Sequence, residues 1–211
     1  MLAAACGLIG LPYGVLADSA GLTMAQAVAL SVFTFAGSSQ FAYVSVISGG
    51  GNPAAAVGGA LLLAARNALY GPVVSPVLRG GAFRRAVAAQ FLTDETTAMA
   101  SAQDDPTDAR DAFWFTGLAI MSLWVAGTVA GVLLGGILDD PGAWGLDAAF
   151  PAAFVALLAP HVATRAGLVT ALIGAAIALV AVPATPAGVP ILLAALAVGP
   201  GMAVAARRRS L

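Results

Sequence analysis

The sequence predicts an all-α integral membrane protein, a polytopic bundle of about six to eight membrane segments with broken or re-entrant helices among them. Three observations point there. Of 211 residues, 60 % are hydrophobic and only 9 % charged, whereas a soluble domain carries roughly 25 % charged residues. Mean hydropathy is +0.95. Apolar stretches of about 17–25 residues, long enough to cross a hydrocarbon core of roughly 30 Å, recur along the chain.

Taken in order, the N-terminal stretch MLAAACGLIGLPYGVLADSA lacks a basic leader and reads as mature sequence. Its apolar part, 2–17, reaches only ~24 Å as a helix, and Pro12 between Gly10 and Gly14 interrupts it, so a broken or re-entrant helix is expected. Spanning helices are expected at 24–48, 53–78, 112–137, 146–162, 166–183 and 187–206. The stretch 86–100 holds five consecutive polar residues, Thr93 to Thr97, and is expected to dip without crossing. The chain is read as one transmembrane unit over 1–211, with 78–111 as a cytoplasmic or re-entrant connection. Because 2–17 and 86–100 each precede long apolar spans, an inverted three-plus-three arrangement is open.

Charge distribution orients this bundle. All nine basic residues are Arg. With Arg207, Arg208 and Arg209 cytoplasmic, Arg165, Arg110, Arg85, Arg84 and Arg79 fall on the same side, as the positive-inside rule requires, provided that 86–100 does not cross. A net charge of −1 offers no basic face for nucleic acid. One Cys and one His exclude a disulfide framework and a Cys/His zinc site, and no cofactor is expected. Gly127, Gly131 and Gly135 form a smooth stripe, expected to serve internal helix packing rather than a subunit interface.

Within the apolar spans, polar groups need partners or a task. Arg66 sits near the middle of its stretch, too deep to snorkel easily; its candidate partners are Asp94, Glu95 or the carboxylate of a solute. In Phe35-Ala36-Gly37-Ser38-Ser39-Gln40-Phe41, Gly37 weakens the helix, while Ser38, Ser39 and Gln40 must face protein or a wet cavity. Pro12 and Gly14 add a third irregularity, of the kind whose freed backbone groups hold a zwitterion in transporters. Asp94 and Glu95, if desolvated, become able to carry protons, and the alternative is a solvated loop with Thr93 capping a helix start. His161 is expected at the membrane interface.

These strings, Leu11-Pro12-Tyr13-Gly14, FAGSSQF at 35–41, Arg66-Asn67-Ala68-Leu69-Tyr70-Gly71, Leu92-Thr93-Asp94-Glu95-Thr96, Trp124 and the GLDAAFPA of 145–152, follow one another in an order that resembles the AzlC/YgaZ family, the large subunits of bacterial branched-chain amino acid exporters. The resemblance covers nearly the whole chain. It implies proton-driven export of valine, leucine, isoleucine and methionine across the bacterial cytoplasmic (inner) membrane, together with a small AzlD/YgaH-type membrane subunit. Around Arg66 the chain departs from the family's Asn-x-Arg-His with Ala64-Ala65-Arg66-Asn67, so those neighbouring polar roles do not carry over.

The resulting expectation is a secondary transporter, not an enzyme. Pro12, Gly14, Gly37, Ser38, Ser39 and Gln40 contact the solute backbone, Arg66 anchors its carboxylate, and Asp94 or Glu95 carries coupling protons. The competing reading is a structural or regulatory membrane subunit whose polar core only ties helices together. An intramembrane enzyme has no Ser/His dyad, paired His or metal-ligand spacing to support it.

Overall fold

Helices run through the chain in one long series. The computed structural model describes residues 1–78, 80–137, 161–186 and 189–209, with isolated positions between 148 and 159. Arg79 and most of the expected span 146–162 lie outside the described residues. Among those described, four helical runs are long and apolar enough to cross a membrane: Leu2–Ser19, Pro53–Val74, Pro106–Gly135 and Val189–Ala206.

The first of these, α1 (Leu2–Ser19), corrects an expectation: it runs unbroken through Pro12. Pro12 still removes one backbone donor, but α1 is braced along its length by α8 (Pro106–Gly135). The brace is the glycine stripe, and it is internal. A Cβ added at Gly127 would stand 2.2 Å from the carbonyl oxygen of Gly7, and one at Gly131 2.1 Å from that of Leu11. From the other side, a Cβ at Gly14 would stand 2.3 Å from the carbonyl of Thr128. Backbone lies on backbone at a distance only glycine allows.

The interruption falls instead inside the expected span 24–48. It divides into α2 (Met24–Phe33) and α3 (Gly37–Ser48), separated by Thr34, Phe35 and Ala36. Phe35 takes φ +39°, the one positive φ at a non-glycine among the described residues. The next run begins on an Asn52 cap with Pro53 in its first turn as α4 (Pro53–Ala64), then tightens into a 3-10 turn over Ala65–Tyr70 and resumes as α5 (Gly71–Val74). Arg66 lies in the tightened part. A second interrupted pair follows across the stretch expected to dip, α6 (Ala82–Gln90) and α7 (Asp94–Ser101). Thr93 caps α7 with reciprocal Thr93–Thr96 bonds, and Asp105 caps α8 just ahead of Pro106.

The same local order thus occurs twice: short helix, three-residue break, short helix, then an Asn- or Asp-capped helix with Pro in its first turn. The pairing matches 34–36 with 91–93, not 2–17 with 86–100. The two breaks also meet. Phe35 and Phe91 pack edge to face with ring centroids 5.7 Å apart, and Gln90 Nε2 donates to the Val32 and Phe33 carbonyls at 2.7 and 3.1 Å, satisfying the open end of α2. Further along, α9 (Arg165–Ala181) packs on α10 (Val189–Ala194) and α11 (Val198–Arg209).

Candidate functional site

The site is built where α3 begins. The first-turn N–H groups of a helix have no carbonyl of their own helix to bond, and at the start of α3 the cap position is Ala36, whose side chain offers no acceptor. The helix start carries a partial positive charge. Ser38 and Ser39 are buried there, and Ser39 Oγ is fully buried with no hydrogen-bond partner. At the start of α7, the buried Thr97 Oγ1 is likewise without a partner. An unsatisfied buried hydroxyl costs about 1–3 kcal/mol, so each of these two helix starts holds a polar group that the described residues leave unsatisfied.

Behind the α3 start lies a satisfied polar network. Trp124 Nε1 donates to Gln40 Oε1 at 2.9 Å, and Gln40 Nε2 donates to the Leu30 carbonyl at 3.2 Å, tying α3 to α8 and to the end of α2. Ser31 and Thr128 share a hydroxyl bond of 2.9 Å, and Ser31 Oγ also reaches Gln40 Oε1 at 3.5 Å. The Trp124 ring supports Gly37, where a Cβ would stand 2.8 Å from its edge, and stacks on Tyr13, which meets Phe41 edge to face. Gln40 is 1 % exposed. Its amide is engaged by the protein itself and places α3.

The acidic pair lies at the start of α7. Asp94 and Glu95 are half-buried in the first turn of α7. Tyr70, from the 3-10 turn that also holds Arg66, donates its hydroxyl to Asp94 Oδ1. Gly14 is occupied with the α8 backbone, and Pro12 is half-buried in the unbroken α1. The side chains of Arg66 and His161 lie outside the described residues. The structure therefore joins the α2–α3 break to the α6–α7 break, and it gives Gln40 and Asp94 separate partners.

Several contributors were hidden in the sequence. Gln90 and Tyr70 carried a signal, a polar or phenolic group at the edge of an apolar stretch. Ser31 and Thr128 carried little, since a lone hydroxyl in a membrane helix commonly bonds its own backbone, as Thr128 does to the Trp124 carbonyl at 2.9 Å.

A multi-pass helical membrane protein whose interior is assembled from interrupted helices is the class that fold and site define. The chain belongs to the AzlC family: the family described as AzlC protein matches residues 2–138, well over half its length. That family is associated with membrane transport of amino acids. No curated protein and no solved structure matches the chain. The matched region contains α1 to α8, and with them both breaks.

Proposed function

We propose that this chain exports branched-chain and other hydrophobic amino acids, valine, leucine, isoleucine and methionine, from the bacterial cytoplasm across the inner membrane, coupled to protons and in company with a small AzlD/YgaH-type membrane subunit. The observation that carries the reading is the uncapped, buried start of α3 with its unpartnered Ser39 hydroxyl. Such a start is suited to the carboxylate of a zwitterion: the N–H groups of Gly37 and Ser39 donate, Ser38 lines the same turn, and the helix dipole favours the negative charge. Arg66 adds a cation on the 3-10 turn that reaches α7 through Tyr70. Gly14 keeps α1 in register with α8, Pro12 lies just before it in the same helix, and Gln40 holds the α3 start in place.

Asp94 and Glu95 take and release the coupling protons. Protonation of Asp94 alters its bond with Tyr70, which ties the charge state of α7 to the helix run containing Arg66. The aliphatic side chain is chosen by fit, where each methylene is worth about 1–3 kcal/mol, so several substrates are accepted. The test is efflux of radiolabelled valine and leucine from preloaded cells with and without the protein. Faster efflux with the protein, shared among the aliphatic amino acids and abolished by a protonophore, is expected. Identical efflux in both cell lines would refute the proposal.

A further inference from the structure

A cavity of about 520 Å³ opens between α5, the turn after it and α6, within the ~300–1,000 Å³ of small-molecule sites. Its lining is mostly apolar, with Val74, Leu78, Ala88 and Leu92 among the walls and Arg85 as the single charge among the described lining residues. Val74 and Leu92 are buried and form its deep end, whereas Arg85 is exposed. Arg85 makes no ion pair among the described residues. The deep end adjoins the site: Leu92 belongs to the α6–α7 break, and Gly71 directly follows Tyr70, whose hydroxyl holds Asp94.

We infer that this cavity is a loading chamber that captures an aliphatic amino acid from the cytoplasm, its carboxylate at Arg85 and its side chain toward Val74 and Leu92, before it passes the Tyr70–Asp94 pair. The inference rests on the transport reading. Charge and apolarity are laid out as such a molecule requires, a cation at the mouth and hydrocarbon inside. Arg85 also belongs to the arginine group that the positive-inside rule puts on the cytoplasmic face, the side from which an exporter loads.

The test places a reporter thiol in the chamber, Ser75→Cys in a Cys6→Ser background, in proteoliposomes, and follows its modification by a thiol reagent. Leucine slows the reaction, while glycine, without the side chain, and isoamylamine, without the carboxylate, leave it unchanged. Arg85→Gln raises the leucine concentration needed for protection about tenfold, the loss of one charge-assisted bond, and Arg85→Lys does not. Protection equal for leucine and glycine, protection indifferent to Arg85→Gln, or occlusion that follows phosphatidylglycerol content instead of leucine would each overturn the inference, the last assigning the cavity to lipid. Leucine efflux by the unmodified protein is measured alongside. Efflux without protection removes the chamber alone, and absent efflux removes the transport reading while the protection experiment still decides the cavity.

Discussion

Trp124 donates its indole N–H to Gln40 Oε1 at 2.9 Å, joining two residues 84 positions apart at the back of the α2–α3 break. The bond fixes α3 against α8 with both groups buried. Trp124→Phe keeps a ring against Tyr13 and Phe41 but removes the donor, and it should destabilise the protein by about 1–2 kcal/mol. Gln40→Ala strands the Trp124 N–H as well and should cost more, about 2–4 kcal/mol. Thermal unfolding in detergent, with the double variant closing the cycle, measures the coupling. Additive losses would show that the bond is not what positions α3.

The glycine stripe makes a sharper demand. Gly131→Ala has no room, with the new methyl 2.1 Å from a carbonyl oxygen, so α1 and α8 must part. A loss of about 3 kcal/mol or more is expected, since overpacking against backbone cannot relax through a side chain. Gly59→Ala is the contrast: its Cβ would meet Ile191 at 3.8 Å, an ordinary contact. Size-exclusion profiles of fluorescently tagged protein should show Gly59→Ala monodisperse and Gly131→Ala aggregated.

Those glycines show what the sequence made legible. A four-residue repeat of the smallest side chain in an apolar helix has one physical use, close helix approach, and α1 fills it. The caps at Asn52 and Asp105 emerged only with the fold, whereas that at Thr93 was legible in a simpler way, as a polar residue before a helical pattern. Where the helix would break was not. Pro12 carries the stronger breaker signal, yet a Pro costs a single donor when both neighbouring turns are clamped by another helix. Phe35 carries no local signal for a positive φ, because its conformation is set by tertiary packing on Phe91. The tightening of the helix around Arg66 into a 3-10 turn is likewise invisible in an apolar run. The polar residues of the site were identified by type, but the division between Gln40, engaged with Trp124, and Asp94, engaged with Tyr70, depends on contacts between distant segments.

Phe35 sets two terms against each other. Its left-handed backbone costs roughly 1–2 kcal/mol, which glycine would relieve. Its buried ring against Phe91 is worth about 3–5 kcal/mol on truncation. Burial wins, so Phe35→Gly should lower stability by about 2 kcal/mol net, and Phe35→Ala, which keeps the strain and loses the ring, by more. A Phe35→Ala variant as stable as Phe35→Gly in the same unfolding assay would mean that the backbone strain is not felt.

Asp105 supplies a pH-dependent test outside the membrane segments. Its carboxylate accepts from the Thr107 and Asp108 N–H groups at 2.7 and 3.2 Å, and these bonds hold its pKa below the ordinary value of about 4. A depressed folded pKa gives stability that is present above the unfolded value and is lost as pH falls through the folded one. The protection factors of the first-turn amides of α8, that is, their exchange corrected for its intrinsic pH dependence, should therefore fall on acidification below about pH 4, and Asp105→Asn, a neutral cap, should flatten that dependence.

The acidic pair gives the test closest to mechanism. If Asp94 carries coupling protons, Asp94→Asn should keep a polar acceptor for the Tyr70 hydroxyl while removing the titrating group, so the fold survives and coupling does not. Leucine counterflow between equal pools, which needs only the moving site, should persist at a rate within a few-fold of the unmodified protein. Proton-driven leucine movement against its gradient should vanish, and leucine addition should no longer shift internal pH in liposomes carrying a pH dye. Tyr70→Phe leaves the carboxylate but removes its phenolic partner, and should slow both modes without separating them. Glu95→Gln distinguishes the neighbours: the residue whose neutral variant separates counterflow from accumulation is the proton carrier. Retention of accumulation in both Asp94→Asn and Glu95→Gln would exclude the pair from coupling and leave them as the charged first turn of α7.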